Sequence, residues 1–372
     1  MTAAAPGPVP PFDHRRYVPV LLTRQGERLA MRELDDATRA GATPLFVVHP
    51  IQHNPETGAP VRSVEQHVVK LAKQLADDWG TRSAFVDLRH VDTATPLPDG
   101  SHPLMRLVLA CRDWDLPLTP VVSGAHDPAY RAAAVHSAGL AGTGVAIRLG
   151  PSEWPGIGTP LGDGHLLGLL AETGQDPEQT HLILDLEDQV STTVAITAAA
   201  LRPALRALPR AYDWASVTVA GTGMPTGTAE IGRDGAADIP RSEWALWRSL
   251  DAPDYRRPSF GDYGVQHPDP LSGFDPRYMD SSAQLRYTIA ASWFVVRGRG
   301  VKKTGLAQIR DLASQVVAHP EYPGPGFSWG DRWLDECARQ ACKAGNQGLW
   351  RKVTTNHHLT YVVVQLATLL GP

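Results

Sequence analysis

The chain has 372 residues, of which 42% are hydrophobic and 20% charged, and its formal net charge is −4. This composition is that of an ordinary folded protein, and the near balance of charge gives no field that would attract nucleic acid or an acidic membrane surface. The three cysteines, Cys111, Cys337 and Cys342, are too few for a disulfide framework and indicate a reducing compartment.

The N-terminus is rich in alanine, proline and glycine and lacks both the basic and the apolar region of a signal peptide. We expect residues 1–14 to form a disordered arm, followed by one domain over residues 15–372. The longest apolar stretch, Leu359–Leu370, is too short and too polar to cross a bilayer. The sequence therefore predicts a cytoplasmic protein without membrane association.

Short apolar runs alternate with longer amphipathic stretches from Tyr17 to Val265. Near-continuous apolar strands that alternate with helices are typical of a parallel sheet covered on both faces. Eight such units predict a closed (β/α)8 barrel of the TIM type. The runs are Tyr17–Thr23, Thr43–His49, Ser83–Arg89, Pro117–Ser123, Gly144–Arg148, His181–Glu187, Ala215–Gly221 and Ser259–Val265.

The amphipathic stretches predict the helices of the barrel. Ser63 with Gln66 forms a capping-box pattern, and Asp127-Pro128 is a typical helix start. The predicted helices are Gly26–Ala40, Ser63–Trp79, Pro103–Trp114, Asp127–Ala138, Asp163–Thr173, Thr192–Leu208 and Ile239–Leu250.

The alternation ends after Val265, where a loop rich in turn residues begins. Two runs of strand-forming residues, Leu285–Ile289 and Trp293–Arg297, predict a β-hairpin at about 284–298. Helices follow at about 304–372. They are predicted at Leu306–Ala318, Trp329–Ala344 and Asn356–Leu370. The fold class is thus α/β, a TIM-like barrel with a β-hairpin insertion after strand eight and a C-terminal helical extension.

Polar residues end several of the apolar runs, and the active sites of (β/α)8 barrels lie at this end of the strands. Asp87 with Arg89, and Asp185 with Glu187, are two residues apart and are predicted to share a strand face. A carboxylate inside a barrel must be paired, bind a metal or shift its pKa. These residues indicate either a functional pocket or a structural ion-pair layer, such as Asp87 with Arg148.

Arginines recur at the predicted strand ends and on the hairpin. Guanidinium groups suit bidentate binding of phosphate or carboxylate, so several at one mouth would form an anion site. Any one of them could equally be a solvated surface residue. They are Arg24, Arg89, Arg148, Arg286, Arg297 and Arg299.

A divalent metal cofactor is left open by the sequence. Carboxylates and histidines at the strand ends could supply ligands for Mg²⁺, Mn²⁺ or Zn²⁺, although no HxH, HExxH or CxxC spacing appears. These candidates are His49, Asp87, His90, Asp185 and Glu187. The predicted strands contain no lysine, which disfavours Schiff-base chemistry.

The segment Asn356-His-His-Leu-Thr360 is predicted to open the last helix, with Asn356 as its N-cap. A histidine at a helix N-terminus has a lowered pKa because the helix dipole disfavours its cation. His357 or His358 could then act as a neutral base or hydrogen-bond donor, or could simply pack over the cap.

Further motifs occur mainly in the second half of the chain. They are Gly26-Glu27, Arg241-Ser-Glu-Trp244, Phe260-Gly-Asp-Tyr-Gly264 followed by His267, Arg286-Tyr287, Arg297-Gly298 and His357-His358-Leu359-Thr360. Together they resemble the phage-type beta protein family, found in phages and widely in bacteria, over all but the N-terminal arm. The resemblance implies a barrel-like α/β protein and suggests a setting in phage–host conflict. It implies no particular chemistry.

The leading hypothesis is a hydrolase-type enzyme that binds an anionic, phosphoester or nucleotide-like substrate at the barrel mouth. A carboxylate of the sixth strand would act as general base or metal ligand, and His267 or His358 as acid. The predicted catalytic residues are Asp185, Glu187, Asp262, His267 and His358. The predicted substrate-binding residues are Arg24, Glu27, Asp87, Arg89, Arg148, Tyr263, Arg286 and Arg297.

The alternative hypothesis is a non-catalytic scaffold or binding subunit with a protein partner, in a bacterial defence or toxin–antitoxin assembly. Tryptophan is enriched at interface hot spots. The candidate interface residues are Trp244, Trp247, Trp293, Trp329 and Trp333. An enzyme predicts a deep pocket holding charged residues, whereas a scaffold predicts a filled mouth and an exposed apolar patch.

Overall fold

The protein was analysed as a computed structural model that describes residues 12–54, 56–153, 164–190, 193–269 and 280–371. The strands are β1 (Tyr17–Leu22), β2 (Leu45–Val47), β3 (Ala84–Asp87), β4 (Leu118–Val122), β5 (Val145–Leu149), β6 (Thr180–Asp185), β7 (Ser216–Gly221), β8 (Gly235–Pro240), β9 (Ser259–Asp262), β10 (Ser282–Thr288) and β11 (Ser292–Gly300). Eight of them form a closed barrel in the order β1-β2-β3-β4-β5-β6-β7-β9. The pairing of β1 with β9 is parallel and closes the ring. Each predicted run contains one barrel strand, so the predicted barrel is confirmed.

Alternate side chains of each barrel strand enter two different cores. Val20, Phe85 and Ile183 belong to the cluster inside the barrel. Their neighbours Leu21 and Leu184 belong to the larger cluster between the strands and the outer helices. Both faces of the sheet are therefore buried, which is why the strands appear in the sequence as continuous apolar runs.

Helices surround the barrel and extend it at the C-terminus. They are α1 (Gln25–Arg32), α2 (Asp36–Gly41), α3 (Val64–Trp79), α4 (Pro103–Arg112), α5 (Pro128–Ala141), α6 (His165–Thr173), α7 (Val194–Arg206), α8 (Ser242–Ser249), α9 (Val301–Thr304), α10 (Ile309–Val317), α11 (Trp329–Ala338) and α12 (Gln347–Leu370), with 3₁₀ turns at Pro151–Glu153 and Pro177–Gln179. The Ser63–Gln66 capping box is confirmed, because each side chain bonds the other residue's backbone N–H at 3.1 Å. The single helix predicted at Gly26–Ala40 is instead two, since Asp35 caps α2 by accepting from the Thr38 N–H at 2.7 Å.

The predicted hairpin is confirmed as β10 and β11, but it is part of a three-stranded antiparallel sheet. The third strand, β8, was not predicted, because its residues alternate between half-buried and exposed and form no apolar run. The helix predicted from Ile239 therefore starts too early. Ile239 pairs with Trp293 of β11, and α8 begins at Ser242.

The last helix begins much earlier than predicted, at Gln347, with Asn346 as its N-cap. The prediction that Asn356 caps this helix is wrong. Asn356 lies inside α12, where it donates to the Ala30 carbonyl at 3.0 Å and accepts from the Gly330 N–H at 2.9 Å. A buried asparagine is tolerated there because partners on α1 and α11 satisfy its amide.

Two adjacent histidines fix α12 to the rest of the fold. His357 Nδ1 lies 2.9 Å from Asp331 Oδ2 of α11, and its Nε2 donates to the Thr288 carbonyl of β10 at 2.8 Å. His358 Nδ1 lies 2.7 Å from the Thr288 hydroxyl, and its Nε2 lies 3.0 Å from Asp262 Oδ2 of β9. Burial lowers the pKa of His358, so the helix dipole predicted for this shift is not its cause.

Several predictions fall on the remaining residues. The predicted arm lies outside the described residues up to Pro11, as does most of the loop that follows His267. The predicted single domain stays a prediction. In the part of the chain that the structure describes, no helix is both long enough and apolar enough to span a bilayer.

The close crossing of α11 and α12 depends on Gly330. A Cβ atom there would lie 2.3 Å from the Val353 carbonyl oxygen and 3.2 Å from the His357 nitrogen, both backbone atoms of α12. We expect Gly330→Ala to lower the free energy of unfolding by about 1–3 kcal/mol through overpacking. Gly139→Ala is the control, because a Cβ on Gly139 in α5 meets no atom within 4 Å. It should stabilise by roughly 0.5–1 kcal/mol. Urea unfolding measures both, and equal effects would contradict the packing account.

Candidate active site at the barrel mouth

Arg148 is buried at the centre of the barrel mouth, between two carboxylates. It lies on β5, and inward positions of β3 and β6 supply Asp87 and Asp185, with none of the three more than 3% exposed. Arg148 Nη1 donates to Asp87 Oδ2 at 2.7 Å, and its Nε and Nη2 donate to Asp185 Oδ2 at 2.8 and 2.6 Å. Tyr263 accepts from Arg148 Nη2 at 2.9 Å and donates to Asp185 Oδ2 at 2.7 Å. The structural ion-pair layer, one of the two predicted alternatives, is present.

The charges in this layer stabilise one another. Burial acts to raise the pKa of Asp87, but His126 and Arg148 outweigh it and hold that pKa well below its usual range. Burial acts to lower the pKa of Arg148, but Tyr263 and the two carboxylates raise it well above its usual range. Burial and the charge of Asp185 raise the pKa of Tyr263, so this hydroxyl keeps its proton. Arg148 is therefore a fixed cation, and four of its donor contacts are used inside the protein.

The two aspartates also shape the loops that follow their strands. Asp87 Oδ1 accepts from the Arg89 N–H, and Asp185 Oδ1 accepts from the Glu187 N–H, both at 2.9 Å. The spacing of two thus reflects a turn, because β3 ends at Asp87 and β6 at Asp185; the predicted shared strand face is wrong. These matching turns bring Arg89 Nη1 to 2.5 Å from Glu187 Oε1.

Glu187 has a backbone conformation that non-glycine residues seldom adopt, with φ of +50°. Its N–H is held by Asp185, and its carbonyl accepts from the Thr222 N–H at 2.8 Å. A conformation of this kind costs roughly 1–3 kcal/mol and persists only where the surrounding structure holds it. The strained turn directs the Glu187 side chain, which is 23% exposed, into the barrel mouth.

A cavity of about 210 Å³ lies above the ion-pair layer. His267 Nδ1 accepts from the Asp269 N–H at 3.1 Å, so its Nε2 carries the hydrogen and lies 3.3 Å from Asp188 Oδ2. Burial and the charge of Arg89 lower the pKa of His90 to about 4, which makes this histidine neutral at pH 7. The lining residues are Val20, Leu22, Val47, Arg89, His90, Arg148, Glu187, Asp188, Tyr263, His267, Pro268 and Asp269.

The cavity lining contains more acidic residues than we would expect of the predicted anion site. Glu187, Asp188 and Asp269 face two arginines. Arg148 is engaged by the layer beneath, and Arg89 is paired with Glu187. An anion that entered the cavity would have to compete with Glu187 for Arg89.

Two predicted catalytic residues, Asp262 and His358, lie away from this cavity. Asp262 has the strand parity of Phe260, which packs in the outer core, so its carboxylate lies between the barrel and the helices. It accepts from the Tyr17 hydroxyl at 2.5 Å and contacts His358 at 3.0 Å, with all three side chains buried. The structure thus places this pair in the joint between β9 and α12.

Three other predicted residues lie on one side of the mouth. Arg24 follows β1, Glu27 lies in the first turn of α1, and Arg286 of β10 donates to the Val265 carbonyl at 2.9 Å. Glu27 is 2% exposed, and its Oε2 has no hydrogen-bond partner. Burial, opposed by Arg351 and Arg24, raises the pKa of Glu27 to about 7.

The remaining hairpin arginines bind residues of the segment that precedes β8. Arg297 of β11 donates to the carbonyls of Ala229 and Ile231 at 3.1 and 2.5 Å. Arg299 pairs with Asp234 at 2.6 Å, and both side chains are more than half exposed. Neither residue lines the mouth cavity.

The candidate metal ligands do not come together. Asp87 of β3 and Asp185 of β6 contact Arg148, and His49 Nδ1 lies 2.8 Å from the Thr23 hydroxyl. Burial and the neighbouring His67 lower the pKa of His49 to about 4. Among the described residues, no three histidine, cysteine or carboxylate side chains form a group that could hold a metal ion.

Sequence reasoning missed two residues of this region. His126 lies 3.2 Å from Asp87 Oδ1 and stacks on Tyr130 at 3.9 Å between ring centroids. It follows β4 closely, so the strand-end rule could have found it. Arg351 of α12 packs beside Gly26 and acts electrostatically on Glu27, and no signal in the sequence indicates that approach.

The tryptophans proposed as an interface are mostly core residues. Trp244, Trp247 and Trp293 are at most 3% exposed, and Trp333 is 8% exposed. Trp329, the fifth, is half-buried beneath Lys352, whose Nζ lies 3.9 Å from the ring centroid. The prediction of an aromatic surface is therefore wrong, because large aromatic side chains bury the most apolar area in the packed helices.

A closed parallel barrel with a charged cavity at the C-terminal ends of its strands is characteristic of TIM-like α/β proteins. The family model described as Beta protein matches residues 17–364. The chain therefore belongs to the Beta protein family, as its motifs suggested. A comparison with curated proteins found no significant match.

The ion-pair layer should be essential for stability. Arg148→Met would leave Asp87 and Asp185 buried without their cation, and we expect a loss of about 3–5 kcal/mol in the free energy of unfolding. Arg206→Met is the control, because the Arg206–Asp254 pair is half exposed, with side-chain exposure of 48% on each side. It should cost about 0–1 kcal/mol. Similar losses in denaturant unfolding of both variants would contradict the account.

Glu27 should make stability depend on pH. Its pKa is about 7 in the folded protein against 4.5 as the ordinary value. The folded state therefore favours the protonated form of Glu27. The contribution of this residue to the free energy of unfolding is lost as pH rises through 7. Glu27→Gln removes this loss. The free energy of unfolding of the variant, relative to that of the wild type, should therefore rise by up to roughly 3 kcal/mol from pH 4 to pH 8.5. Unfolding free energies at both pH values test this, and a variant-to-wild-type difference independent of pH would contradict it.

Proposed function

We propose that the protein is a hydrolase-type enzyme whose active site is the cavity at the barrel mouth and whose substrate is a small phosphoester. The observation that supports this most is Glu187. Its carboxylate is held in a strained turn, lines the cavity and is paired with Arg89 at 2.5 Å. Strain and charge thus meet at one solvent-accessible point, which supports Glu187 as a catalytic group.

Glu187 is the proposed general base. It takes a proton from a water molecule, and the water oxygen attacks the phosphorus of the ester. The P–O bond to the alcohol breaks, and the protonated Glu187 returns the proton to the departing alkoxide. Arg89 is released from Glu187 as the substrate binds and stabilises the negative charge that develops. His267 donates a hydrogen bond to the substrate through its Nε2–H. The Asp269 amide selects this tautomer, because it donates to Nδ1.

We assign the buried residues a positioning role. Asp87, Arg148 and Asp185 use their polar atoms on one another and on the turns that carry Arg89 and Glu187. Tyr263 joins this layer to the cavity wall. The cavity of about 210 Å³ is smaller than the range of about 300–1,000 Å³ typical of larger ligands, which favours a small phosphoester over a whole nucleotide.

The scaffold hypothesis has less support. It predicted a filled mouth and an exposed apolar patch, whereas the described structure has a charged cavity, and four of the five tryptophans proposed for the interface are buried. We propose phage–host conflict as the biological setting on the ground of family membership. A phage plaque assay with wild-type protein and Glu187→Gln would test that setting.

A thermal-shift screen against phosphoesters, nucleotides and divalent metals tests the proposed function. A ligand present at about 100 times its Kd should stabilise the wild type by about 2.7 kcal/mol. With the ester that binds, Glu187→Gln should lower the rate of hydrolysis by about 10²–10⁴-fold. Glu172→Gln is the matched control, because Glu172 of α6 also pairs with an arginine, Arg131 at 2.7 Å, and neither residue lines the cavity.

Equal rates for the two variants would refute Glu187 as the base. The absence of a shift with every ligand would refute the phosphoester site and redirect the search to a protein partner.

A further inference from the structure

Arg24 and Arg351 lie near Glu27 beside the mouth cavity, and Arg286 lies near Arg351. Arg24 follows β1, Arg286 lies on β10, and Arg351 lies on α12, so the cluster is assembled from distant parts of the chain. All three arginines are half-buried, which leaves part of each side chain in contact with solvent. Glu27 beneath them is buried.

The cluster holds an excess of positive charge. Arg351 acts on both Arg24 and Arg286 as a like charge; burial and Arg351 together lower the pKa of Arg286 to about 10. In the described ranges, no carboxylate oxygen lies within ion-pair distance of Arg286 or Arg351. Arg286 donates a hydrogen bond to a neutral carbonyl, that of Val265. Like charges that are partly desolvated and held together are stabilised when an anion binds between them.

Glu27 supplies an independent sign of a ligand. Its carboxyl is 2% exposed, and Oε2 has no hydrogen-bond partner. A buried polar atom without a partner costs free energy and calls for an explanation. A protonated carboxyl at this position would donate its hydrogen to an anion, as the surrounding arginines do.

Gly26 shows that the approach of Arg351 is built into the fold. A Cβ atom on Gly26 would lie 2.8 Å from the Gly348 carbonyl oxygen and 3.2 and 3.3 Å from Cβ and Cδ of Arg351. The missing side chain lets the arginine pass directly over the start of α1. The Gly26-Glu27 motif therefore combines the space for Arg351 with the carboxyl that it approaches.

The cluster adjoins the proposed active site. Leu22, which lines the cavity, precedes Arg24 by two positions on the same strand end. Tyr263, also in the lining, precedes Val265, whose carbonyl binds Arg286. The mouth thus has an acidic cavity and, next to it along β1 and β9, a basic cluster.

We propose that Arg286, Arg351 and the Glu27 carboxyl form a subsite for the phosphate group of the substrate, beside the cavity in which Glu187 acts. This inference rests on the proposed function, because it assigns the anionic part of that substrate to a place outside the acidic cavity. The phosphate held there is then the group that reacts: the water activated by Glu187 attacks its phosphorus, and the P–O bond to the alcohol breaks. Barrels of this type often bind phosphate near their last strands, which is a parallel at the level of the fold.

Calorimetric titration with inorganic phosphate at pH 8 tests the subsite without requiring turnover. Arg286→Gln and Arg351→Gln should each weaken phosphate binding by about 10- to 100-fold, the effect of losing a charge-assisted hydrogen bond. Arg202→Gln is the matched control, because Arg202 is also half-buried and donates to a carbonyl, that of Ser249 at 2.7 Å, on the outside of the barrel. It should bind phosphate like the wild type.

Glu27→Gln should change the affinity for phosphate in the opposite direction from the arginine variants. It removes the negative charge present at pH 8 and keeps a hydrogen-bond donor, so it should tighten phosphate binding. A misfolded variant would not bind more tightly, so tighter binding by Glu27→Gln could not be explained by a loss of structure. Arginine variants that bind like Arg202→Gln, or a wild type that binds no phosphate, would overturn the proposal.

A second titration with glycerol phosphate distinguishes a substrate subsite from a separate phosphate site. A substrate subsite predicts that Glu187→Gln changes the affinity for glycerol phosphate and leaves that for inorganic phosphate unchanged. If Glu187→Gln changed neither, the link to the substrate would be refuted. Normal hydrolysis by Glu187→Gln would refute the proposed base while phosphate binding at the arginines stood, so the two proposals fail separately.

Discussion

The structure of the mouth depends on one buried cation, Arg148, held between Asp87 and Asp185. A charge in the interior is costly unless it is paired and its hydrogen bonds are made. Here one oxygen of each aspartate binds the guanidinium, and the other fixes the turn after its strand. The same interaction that neutralises the interior therefore sets where the exposed residues beyond the strands lie. Function and stability share these residues, so their substitution will affect both.

The C-terminal helix α12 connects the barrel with the three-stranded sheet. His357 and His358 lie next to each other but bind different elements, α11 and β10 in one case, β9 and β10 in the other. Since Asp262 is occupied in this joint, the motif residues of β9 and α12 explain how the parts are assembled. Arg351 extends the same helix toward the mouth, so the joint also positions the basic cluster.

The sequence predicted the barrel because parallel strands buried on both faces appear as short apolar runs. It missed β8, whose alternating half-exposed residues give no such signal. It placed the start of α12 at Asn356 because asparagine is a favoured N-cap residue. Hydrogen bonds of Asn356 with α1 and α11 stabilise the helical conformation at this position.

The site was predictable in part. Strand ends identified Asp87, Arg148 and Asp185, and the pairing of Asp87 with Arg148 was one of two open alternatives. The contact of Arg351 with the Glu27 region joins residues at opposite ends of the chain, which no local pattern reports. The position of Asp262 could have been inferred from its parity with Phe260.

The most direct test is a crystal structure of the protein with a non-hydrolysable analogue of the phosphoester that the screen identifies. The account predicts the analogue in the mouth cavity, with one of its atoms or an ordered water within about 3 Å of the Glu187 carboxylate. It also predicts that the Arg89–Glu187 ion pair has opened. An analogue bound elsewhere, with that ion pair intact and the cavity holding solvent alone, would contradict the assignment of the barrel mouth as an active site.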